Sequence, residues 1–417
     1  MIKQNDRVAI IGGGLSGLVI AEGLQKKGYK NVTVFERSNR VGGKLDTIWY
    51  KGKSYEFGAN FGLPPQKHLK TLMKAFNIKI DGPSLSRVNY DTDGNKIMQI
   101  PKEALGAFVE ELDRLPDVLA KYKSLEKVNI QNVEASLMLP FSKWCDINQF
   151  STLKTIYAHY FTCYGLGDID DVPALYVLRI LNYDNLMSFM ELPEFCTWKR
   201  GVSSLIECLT QEIKDIRLTQ NVKKISFSKD EKLYVQTEFE VLEFDRVVIT
   251  APLNQFSDIY GENHEIKQFL SCLKYQDFNV YAFIVDKVPK RCGCVLDNLS
   301  IKKRGHIIFW NSRWDSCDGE ALIMVYAYDH PEKSKSESLK IIESDLLKLG
   351  FHNPRLYQFK RWKQCPYVET SVLQNGFYEK LEEMQGRHNI FLAGEIMSTV
   401  LMENCIRYSN YLINKYF

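Results

Sequence analysis

The 417-residue chain lacks the features that mark a membrane-spanning or nucleic-acid-binding protein. No segment approaches the roughly 18 consecutive apolar residues that a transmembrane helix needs. The formal net charge is only +3, and no long basic run is interleaved with aromatic residues, so nucleic acid is not an expected partner. Contact with a membrane surface is left open by these observations.

Cysteines are present but follow no binding pattern. The ten cysteines include no C-x-x-C pair, and Cys292-Gly-Cys294 has no His or Cys pair near it in the sequence. This spacing favours neither a zinc site nor a disulfide framework. We expect reduced and mostly buried thiols, no metal, and a cytoplasmic location.

What the chain does contain, close to its start, is a strand, a glycine turn and the start of a helix. The run Arg7–Ile11 is apolar and rich in β-branched residues, which is typical of a strand buried on both faces. Gly12, Gly14 and Gly17 follow at the G-x-G-x-x-G spacing. We expect Gly12 to permit the turn, Gly14 to let a pyrophosphate approach the backbone, and Gly17 to let the helix pack closely. The pyrophosphate would lie at the positive end of that helix.

An acidic residue closes the second predicted strand of this unit. The helix ends at Gly28, Val32–Phe35 is the strand, and Glu36 follows it, about 20 residues after the glycines, where an acid binds the two hydroxyls of an adenosine ribose. A carboxylate there would repel a 2′-phosphate. The unit therefore predicts a site for FAD or NAD rather than NADP.

Four further segments carry a resemblance to a known family. They are Arg37-Ser-Asn-Arg40-Val-Gly42-Gly43-Lys44, Tyr55-Glu-Phe-Gly58-Ala59-Asn60, Phe359–Tyr367 with its Trp-x-x-x-Pro element, and Asn389–Glu395 followed by Leu401–Tyr408. Together with the glycine motif, they resemble the flavin-containing amine oxidase superfamily, which includes monoamine and polyamine oxidases, protoporphyrinogen oxidase and phytoene desaturases. A simple NAD protein would lack the Gly394-Glu395 segment.

The resemblance implies an α/β fold in which a Rossmann-like FAD/NAD(P)-binding domain is interleaved with a substrate domain of mixed sheet and helices. The FAD-binding domain would comprise residues 1–68, 196–255 and 386–417. The substrate-binding domain, with a helical cap, would comprise residues 69–195 and 256–385. The cofactor would be noncovalent FAD, because the residues around Cys365 do not match the motif through which some relatives attach flavin.

The resemblance also assigns cofactor contacts. Arg40 would bond to the pyrophosphate, and Val222, on a predicted strand over residues 218–225, would meet the adenine through its backbone. Glu395 would hold the ribityl chain, and the N–H groups at Met402 and Glu403 would face the flavin pyrimidine and stabilise negative charge there. The expected cofactor-binding residues are Gly12, Gly14, Leu15, Ser16, Gly17, Glu36, Arg37, Arg40, Gly42, Gly43, Lys44, Gly58, Ala59, Asn60, Val222, Gly394, Glu395, Met402 and Glu403.

The predicted cap, between residues 69 and 192, contains an aromatic stripe. Tyr157, Tyr160, Phe161 and Tyr164 fall on one face of a helix predicted over residues 152–164. Such a stripe more often forms core than a pocket, but any part that lines the site would favour an apolar or aromatic substrate. His159, beside the stripe, is more often a packing residue than a base.

The function expected from these features is that of an FAD-dependent oxidoreductase. It would take a hydride from a C–N or C–C bond of an apolar small molecule. The alternatives are a desaturase-like oxidoreductase for a larger apolar substrate, and an FAD-binding protein without turnover. No catalytic residue is assigned; the pocket candidates are Trp362, Tyr367 and Leu401.

Departures from the family pattern bear on the substrate. Monoamine-type oxidases carry a lysine on a substrate-domain strand and an aromatic residue before the closing Met-Glu pair. The same positions here hold Ala282 and Leu401, and no lysine occurs between residues 275 and 286. Asn404 replaces the usual glycine after Met-Glu. We expect weak or absent activity on simple primary amines.

Overall fold

The computed structural model of the protein describes residues 4–59, 66–191, 197–228, 232–256, 264–286, 288, 290–316 and 319–417. The strands are β1 (Arg7–Ile11), β2 (Asn31–Phe35), β3 (Thr47–Tyr50), β4 (Lys53–Glu56), β5 (Arg87–Tyr90), β6 (Lys96–Ile97), β7 (Asp215–Arg217), β8 (Lys224–Phe227), β9 (Leu233–Gln236), β10 (Val241–Phe244), β11 (Arg246–Ile249), β12 (Lys274–Asp286), β13 (Arg291–Val295), β14 (Phe309–Ser312), β15 (Glu320–Tyr328), β16 (Arg355–Tyr367) and β17 (Ile390–Leu392). The helices are α1 (Leu15–Lys26), α2 (Lys67–Ala75), α3 (Leu105–Leu119), α4 (Phe141–Ile147), α5 (Ser151–Phe161), α6 (Ala174–Ile180), α7 (Tyr183–Glu191), α8 (Ser203–Gln211), α9 (His264–Ser271), α10 (Lys335–Lys348), α11 (Thr370–Gln374), α12 (Phe377–Glu383), α13 (Glu395–Ser398) and α14 (Met402–Tyr416).

A parallel sheet carries the glycine motif. Its strand order is β17-β11-β1-β2-β7, and each adjacent pair runs parallel. All residues of β1 and β2 except the first of each are buried, as expected of strands covered on both faces. The carboxyl ends of the strands meet at one edge, where open parallel sheets bind their ligands.

Helices α1 and α14 pack against each other beside this sheet. The approach is close at Gly23 of α1, because a Cβ there would lie 2.6 Å from Cδ1 of Ile413 on α14. The chain's last helix is thereby fixed to its first.

The second large sheet is mixed, with strand order β16-β12-β15-β14-β13-β5-β6. One face packs on α10 through Ile342 and Leu346, which belong to a buried cluster with β12 and β15 residues. Side chains alternate along a strand, so the pairing register identifies the residues on the opposite face. From β16 to β5 these include Trp362, Phe278, Tyr326, Phe309, Cys294 and Arg87.

The sheets follow the segments expected for the two domains. The parallel sheet and the antiparallel β10-β9-β8 sheet lie within the residues assigned to FAD, and the seven-stranded sheet lies within those assigned to the substrate. The division into domains stays a prediction. None of the described helices has the length and apolar character needed to cross a membrane.

The predicted strand over residues 218–225 is wrong. β7 ends at Arg217 and β8 begins at Lys224. Thr219 has a positive φ of 56°, and its N–H donates to the carbonyl of Ser38. The connection therefore turns toward the loop after β2, and Val222 lies in that connection.

Candidate active site

A cavity of about 670 Å³ joins the two sheets. At one end it is lined by residues that follow four strands of the parallel sheet: Gly12, Glu36 and Thr250 come directly after β1, β2 and β11, and Gly394 is the second residue after β17. At the other end it meets the aromatic face of the seven-stranded sheet, at Trp362 among others. Its size suits a small-molecule site.

The first glycine turn is built as the sequence predicted. Gly12 has a φ of +108°, a conformation that glycine adopts without strain. A Cβ on Gly14 would meet no atom within 4 Å, so its backbone faces open space. A Cβ on Gly17 would clash with the Gly12 carbonyl, so glycine at this position lets the helix pack closely against the turn. Leu15 and Ser16, at the start of α1, line the cavity.

Glu36 is held in place by the backbone. Its Oε2 accepts from the Gly13 N–H at 2.8 Å and its Oε1 accepts from the Ser38 N–H at 2.8 Å. An ionised carboxylate has further acceptor capacity, and Glu36 lines the cavity. The arrangement can accept two ribose hydroxyls.

The second glycine pair lies against the first. The Gly42 N–H donates to the Gly13 carbonyl at 2.7 Å, and Gly42 and Gly43 have φ values of +102° and +55°. Both line the cavity beside Gly14. The backbone therefore passes close to the expected phosphate position.

Arg40 makes its observed bonds within its own loop, and its predicted bond to the pyrophosphate stays a prediction. Its guanidinium donates to the carbonyls of Val41 at 2.9 Å and Gly43 at 2.7 Å, and pairs with Asp46 at 2.9 Å. Arg40 lines the cavity, but these bonds direct its charge into its own loop. It braces the glycine pair, and the Arg37 guanidinium, which donates to Gln255 at 3.4 Å, lies at the cavity wall nearby.

Two ion pairs lie along the cavity wall between the glycine turns and the second sheet. Lys44 Nζ lies 2.5 Å from Glu395 Oε2, and both residues line the cavity. Lys360 Nζ lies 2.7 Å from Asp46 Oδ2 and 4.1 Å from the ring centroid of Trp362. Glu395 is thus oriented by a cation while its other oxygen stays available for a hydroxyl.

Gly58 and Ala59 form part of the wall. The Ala59 N–H donates to the Lys44 carbonyl at 2.6 Å, and a Cβ on Gly58 would clash with the same carbonyl. The hairpin β3–β4 therefore lies directly on the Lys44 loop. Asn60 lies outside the described residues.

A buried ion pair, which sequence reasoning missed, holds this hairpin. The Arg313 guanidinium donates to Glu56 Oε1 at 2.7 Å, and both side chains are almost fully buried. Glu56 also accepts from the Val202 N–H at 3.0 Å and the Thr47 hydroxyl at 2.9 Å. Arg313 and Val202 come from segments 257 and 146 residues away, so no local pattern could have identified the pair.

In the closing segment, the Glu403 side chain has a structural role besides the predicted backbone contact. The Glu403 carboxylate accepts from the N–H groups of His68 at 2.9 Å and Leu69 at 2.8 Å, so it caps the start of α2. Only the backbone of Glu403 is free to face a flavin. The first-turn N–H groups of α14 have no acceptor within the helix, and Met402 lines the cavity.

Gly394 and Val222 complete the expected cofactor contacts. Gly394 has a φ of +91°, and a Cβ there would lie 2.7 Å from the Thr250 carbonyl oxygen. Val222 lines the cavity from the connection before β8. An open glycine turn, a fixed carboxylate and a helix N-terminus at the far end together fit FAD better than NAD alone.

Two of the three pocket candidates lie on the cavity. Trp362 and Leu401 line it, and the Trp362 indole donates to the Phe57 carbonyl at 2.8 Å. Tyr367 does not line it, because its ring is buried edge-on against Tyr176, 6.2 Å away between centroids. Because side chains alternate between the two faces of β16, Tyr367 points into the core and not into the cavity.

The aromatic stripe divides between core and cavity. Tyr157 and Phe161 are fully buried, whereas Tyr160 and Tyr164 line the cavity. Phe189 of α7 stacks on Tyr160 with ring centroids 5.0 Å apart. With Phe278, Phe309 and Tyr326 from the second sheet, these rings form an apolar extension of the cavity, which we call the aromatic arm.

Arg87, which sequence reasoning did not select, lies behind the aromatic arm, where it contacts Tyr160 without itself lining the cavity. Its guanidinium donates to the Tyr160 hydroxyl at 3.0 Å and lies 4.9 Å from the Tyr160 ring centroid. That hydroxyl donates in turn to Gln99 Oε1 at 3.1 Å. No described carboxylate lies within 4 Å of the guanidinium.

His159 does not provide a base. Burial, reinforced by the positive charge of Arg87, lowers the pKa of His159 to about 4. The ring is therefore a weak proton acceptor, and His159 does not line the cavity.

Cys365 is placed away from flavin chemistry. Its neighbours Gln364 and Pro366 line the cavity, but Cys365 itself does not. Burial raises the pKa of the thiol to about 12, so the nucleophilic thiolate is scarce. The eight cysteines in the described part of the chain are free thiols.

The position assigned to the missing lysine needs correction. Ala282 is buried in the sheet and does not line the cavity. The residues of β12 that do line it are Tyr275 and Phe278. Ala282 therefore does not lie beside the expected flavin position, and neither β12 residue that lines the cavity is a lysine.

Comparison with known proteins places this site in a family. The family model described as flavin-containing amine oxidoreductase matches residues 15–408. The chain therefore belongs to the flavin-containing amine oxidoreductase family, and it is an FAD-dependent oxidoreductase with an α/β fold, as predicted. Its cofactor is FAD, which family members usually hold noncovalently.

Individual relatives differ in what they act on. The crystal structure of a CLA-producing fatty acid isomerase from P. acnes is 30% identical, with a TM-score of 0.93 and 100% of each chain covered. Coproporphyrinogen III oxidase of Staphylococcus aureus is 24% identical over 81% of this chain and 83% of its own length. A 54-residue stretch is 50% identical to protoporphyrinogen oxidase 2 of Arabidopsis thaliana, and it spans 13% of this chain and 10% of that protein.

Proposed function

We propose that this enzyme acts on the hydrocarbon chain of a long-chain unsaturated fatty acid and moves one of its double bonds. The observation that carries the proposal is the aromatic arm, which leads from the FAD end of the cavity to Tyr160, the hydrogen-bond partner of the half-buried Arg87. The similarity to a fatty acid isomerase over the full length of both chains supports it.

The distance across the sheet from Trp362 to Arg87 favours an extended chain. Trp362 lies on β16 and Arg87 on β5, five strand positions apart in the sheet, which at about 4.8 Å per strand is about 24 Å. An extended peptide advances 3.3–3.6 Å over three bonds, or about 1.2 Å per bond. About twenty bonds therefore span the distance, as in a long-chain fatty acid.

Arg87 supplies a fixed end for such a chain. A planar guanidinium binds a carboxylate through two parallel hydrogen bonds. Its described partner is the neutral Tyr160 hydroxyl, so burial of its charge is not offset by an ion pair. A substrate carboxylate at this point would supply that partner and set which carbon reaches the cofactor.

The chemistry of a double-bond shift suits the aromatic arm, whose rings supply no charged base. FAD, when bound, supplies a hydride acceptor and donor. One C–H bond breaks, another forms at a different carbon and the double bond moves, so atoms and electrons balance without an external oxidant. Phe278, Phe309 and Tyr326 keep the chain extended and exclude water from its reacting carbons.

Simple amines fit this site poorly. An arginine at the far end of the arm would repel a second ammonium group, and β12 presents Tyr275 and Phe278 rather than a lysine. Coproporphyrinogen carries carboxylates on a broad ring. Its turnover, compared with that of a fatty acid, tests whether the arm admits only extended molecules.

The test compares linoleic acid with its methyl ester under anaerobic conditions, following formation of a conjugated diene by ultraviolet absorption. Hydrogen bonds to a charged partner contribute about 1.5–3 kcal/mol, so Arg87→Gln should raise KM for the acid about 10- to 100-fold. The ester should bind weakly to the wild type and be little affected by the substitution.

Arg304→Gln is the matched control, because Arg304 also stands over a tyrosine ring, that of Tyr328 at 5.2 Å, but Tyr328, unlike Tyr160, does not line the cavity. It should leave KM unchanged. Absence of product from any unsaturated fatty acid, with turnover of coproporphyrinogen III instead, would overturn the proposal. Equal KM values for wild type and Arg87→Gln would overturn the role of Arg87.

A further inference from the structure

A strained residue lies immediately before the helix that faces the flavin site. Thr399, between α13 and α14, has φ 79° and ψ 168° and is 3% exposed. This region of backbone space is essentially restricted to glycine, and it is least favourable for a β-branched side chain. Such a conformation persists only where surrounding contacts determine it.

Hydrogen bonds hold Thr399 on three sides. Its N–H donates to the Glu395 carbonyl at 2.7 Å, and its own carbonyl accepts from the Ser398 hydroxyl at 2.9 Å. Its Oγ1 accepts from Asn404 Nδ2 at 2.7 Å. The last bond is the one that fixes the side chain.

Asn404 makes a second bond that reaches another part of the cavity wall. Its amide also donates to the Arg179 carbonyl at 3.3 Å, and an amide nitrogen has a hydrogen for each acceptor. Arg179 is buried, and its guanidinium donates to the carbonyls of Ser124, Lys127 and Val128. Ile180 and Leu181, which follow Arg179, line the cavity.

We propose that Asn404 is a positioning residue for the cofactor site. It holds Thr399 in a glycine-like conformation and thereby fixes Val400, Leu401 and Met402, which line the cavity directly after it. The same side chain ties the N-terminus of α14 to the end of α6. Asn404 therefore fixes both the direction in which the α14 N–H groups point toward the flavin site and the shape of the adjoining cavity wall.

The positioning role of Asn404 concerns FAD binding and does not depend on which substrate the enzyme uses. It also accounts for the amide at a position where the family pattern has glycine. An amide side chain at 404 supplies a bond that glycine cannot, and Thr399 needs that bond because it is not glycine.

The experiment is a double-mutant cycle at Asn404 and Thr399. Asn404→Ala should raise the Kd for FAD about tenfold, which corresponds to 1.4 kcal/mol, and make the flavin reduction potential more negative because the α14 N-terminus is less well aimed. Thr399→Val should do the same, since it keeps the β-branch but removes the acceptor. Thr399→Ser should stay near the wild type.

The decisive variant is Thr399→Gly in the Asn404→Ala background, because glycine adopts the required backbone freely. It should recover most of the tenfold loss. Urea unfolding of each apoprotein separates general destabilisation from loss of FAD affinity.

Asn298→Ala is the control for loss of a buried amide. Asn298 donates to the Ile307 carbonyl at 2.9 Å, away from the cavity, so its substitution should leave Kd for FAD unchanged. An unchanged Kd in folded Asn404→Ala, or no recovery in the double variant, would overturn the proposal. If Asn404→Ala does not fold, folding of the double variant supports it and failure of both refutes it.

Discussion

Replacement of Gly14 by valine should remove FAD binding while leaving the folded apoprotein intact. Gly14 has φ −77° and ψ −179°, values that any L-residue adopts, and a Cβ there meets no protein atom within 4 Å. The new side chain would therefore occupy only the space that the pyrophosphate needs. Gly17→Ala provides the contrast, because its Cβ would clash with the Gly12 carbonyl and disturb the turn itself.

The magnitude follows from ligand linkage. FAD at about 100 times its Kd stabilises the folded state by about 2.7 kcal/mol, and Gly14→Val should lose this increment entirely. Urea unfolding with and without added FAD measures it. Apo wild type and apo Gly14→Val should unfold at the same urea concentration, whereas apo Gly17→Ala should unfold earlier. A valine variant that still gains stability from FAD would refute the assignment of the open turn to phosphate.

Three further predictions concern the substrate, the cofactor linkage and pH. In stopped-flow experiments, benzylamine, tyramine and a polyamine should reduce the flavin slowly or not at all, since β12 presents Tyr275 and Phe278 to the cavity; fast bleaching by any of them would contradict this. Acid precipitation should leave a colourless pellet and a yellow supernatant, because Cys365 is buried with a raised pKa; a yellow pellet would show a covalent bond. The pKa of His159 is lowered to about 4 from 6.5 by burial, so the unfolded state binds more protons between those values and stability falls as pH drops through that window, by up to about 3 kcal/mol. His159→Gln should reduce this acid loss in urea unfolding at pH 7 and pH 4.5, and an equal loss in both proteins would contradict the pKa shift.

The nucleotide end of the site could be predicted because its geometry is local. The strand, turn and helix from Arg7 to Lys26 form one contiguous unit, and the role of each glycine follows from the residues beside it. Glu36 follows from the same unit, since β2 pairs directly with β1. Sequence spacing is then a reliable guide to distance in space.

The substrate end could not be predicted in the same way. Arg87 comes to lie beside the aromatic arm only because β5 pairs with β13 and its side chain meets Tyr160, 73 residues away. Glu403 turned toward α2 because that helix starts beside α14, a contact between residues 335 positions apart. Such partners depend on strand order and helix packing, which the local pattern does not specify.

The most direct test of the proposed double-bond shift is turnover of linoleic acid without oxygen or any added electron acceptor. If the hydride returns to the substrate, conjugated product should accumulate to many times the concentration of bound FAD, with no net reduction of the flavin. Product that stops at one equivalent per FAD while the flavin stays bleached would instead show a net oxidation and contradict the account.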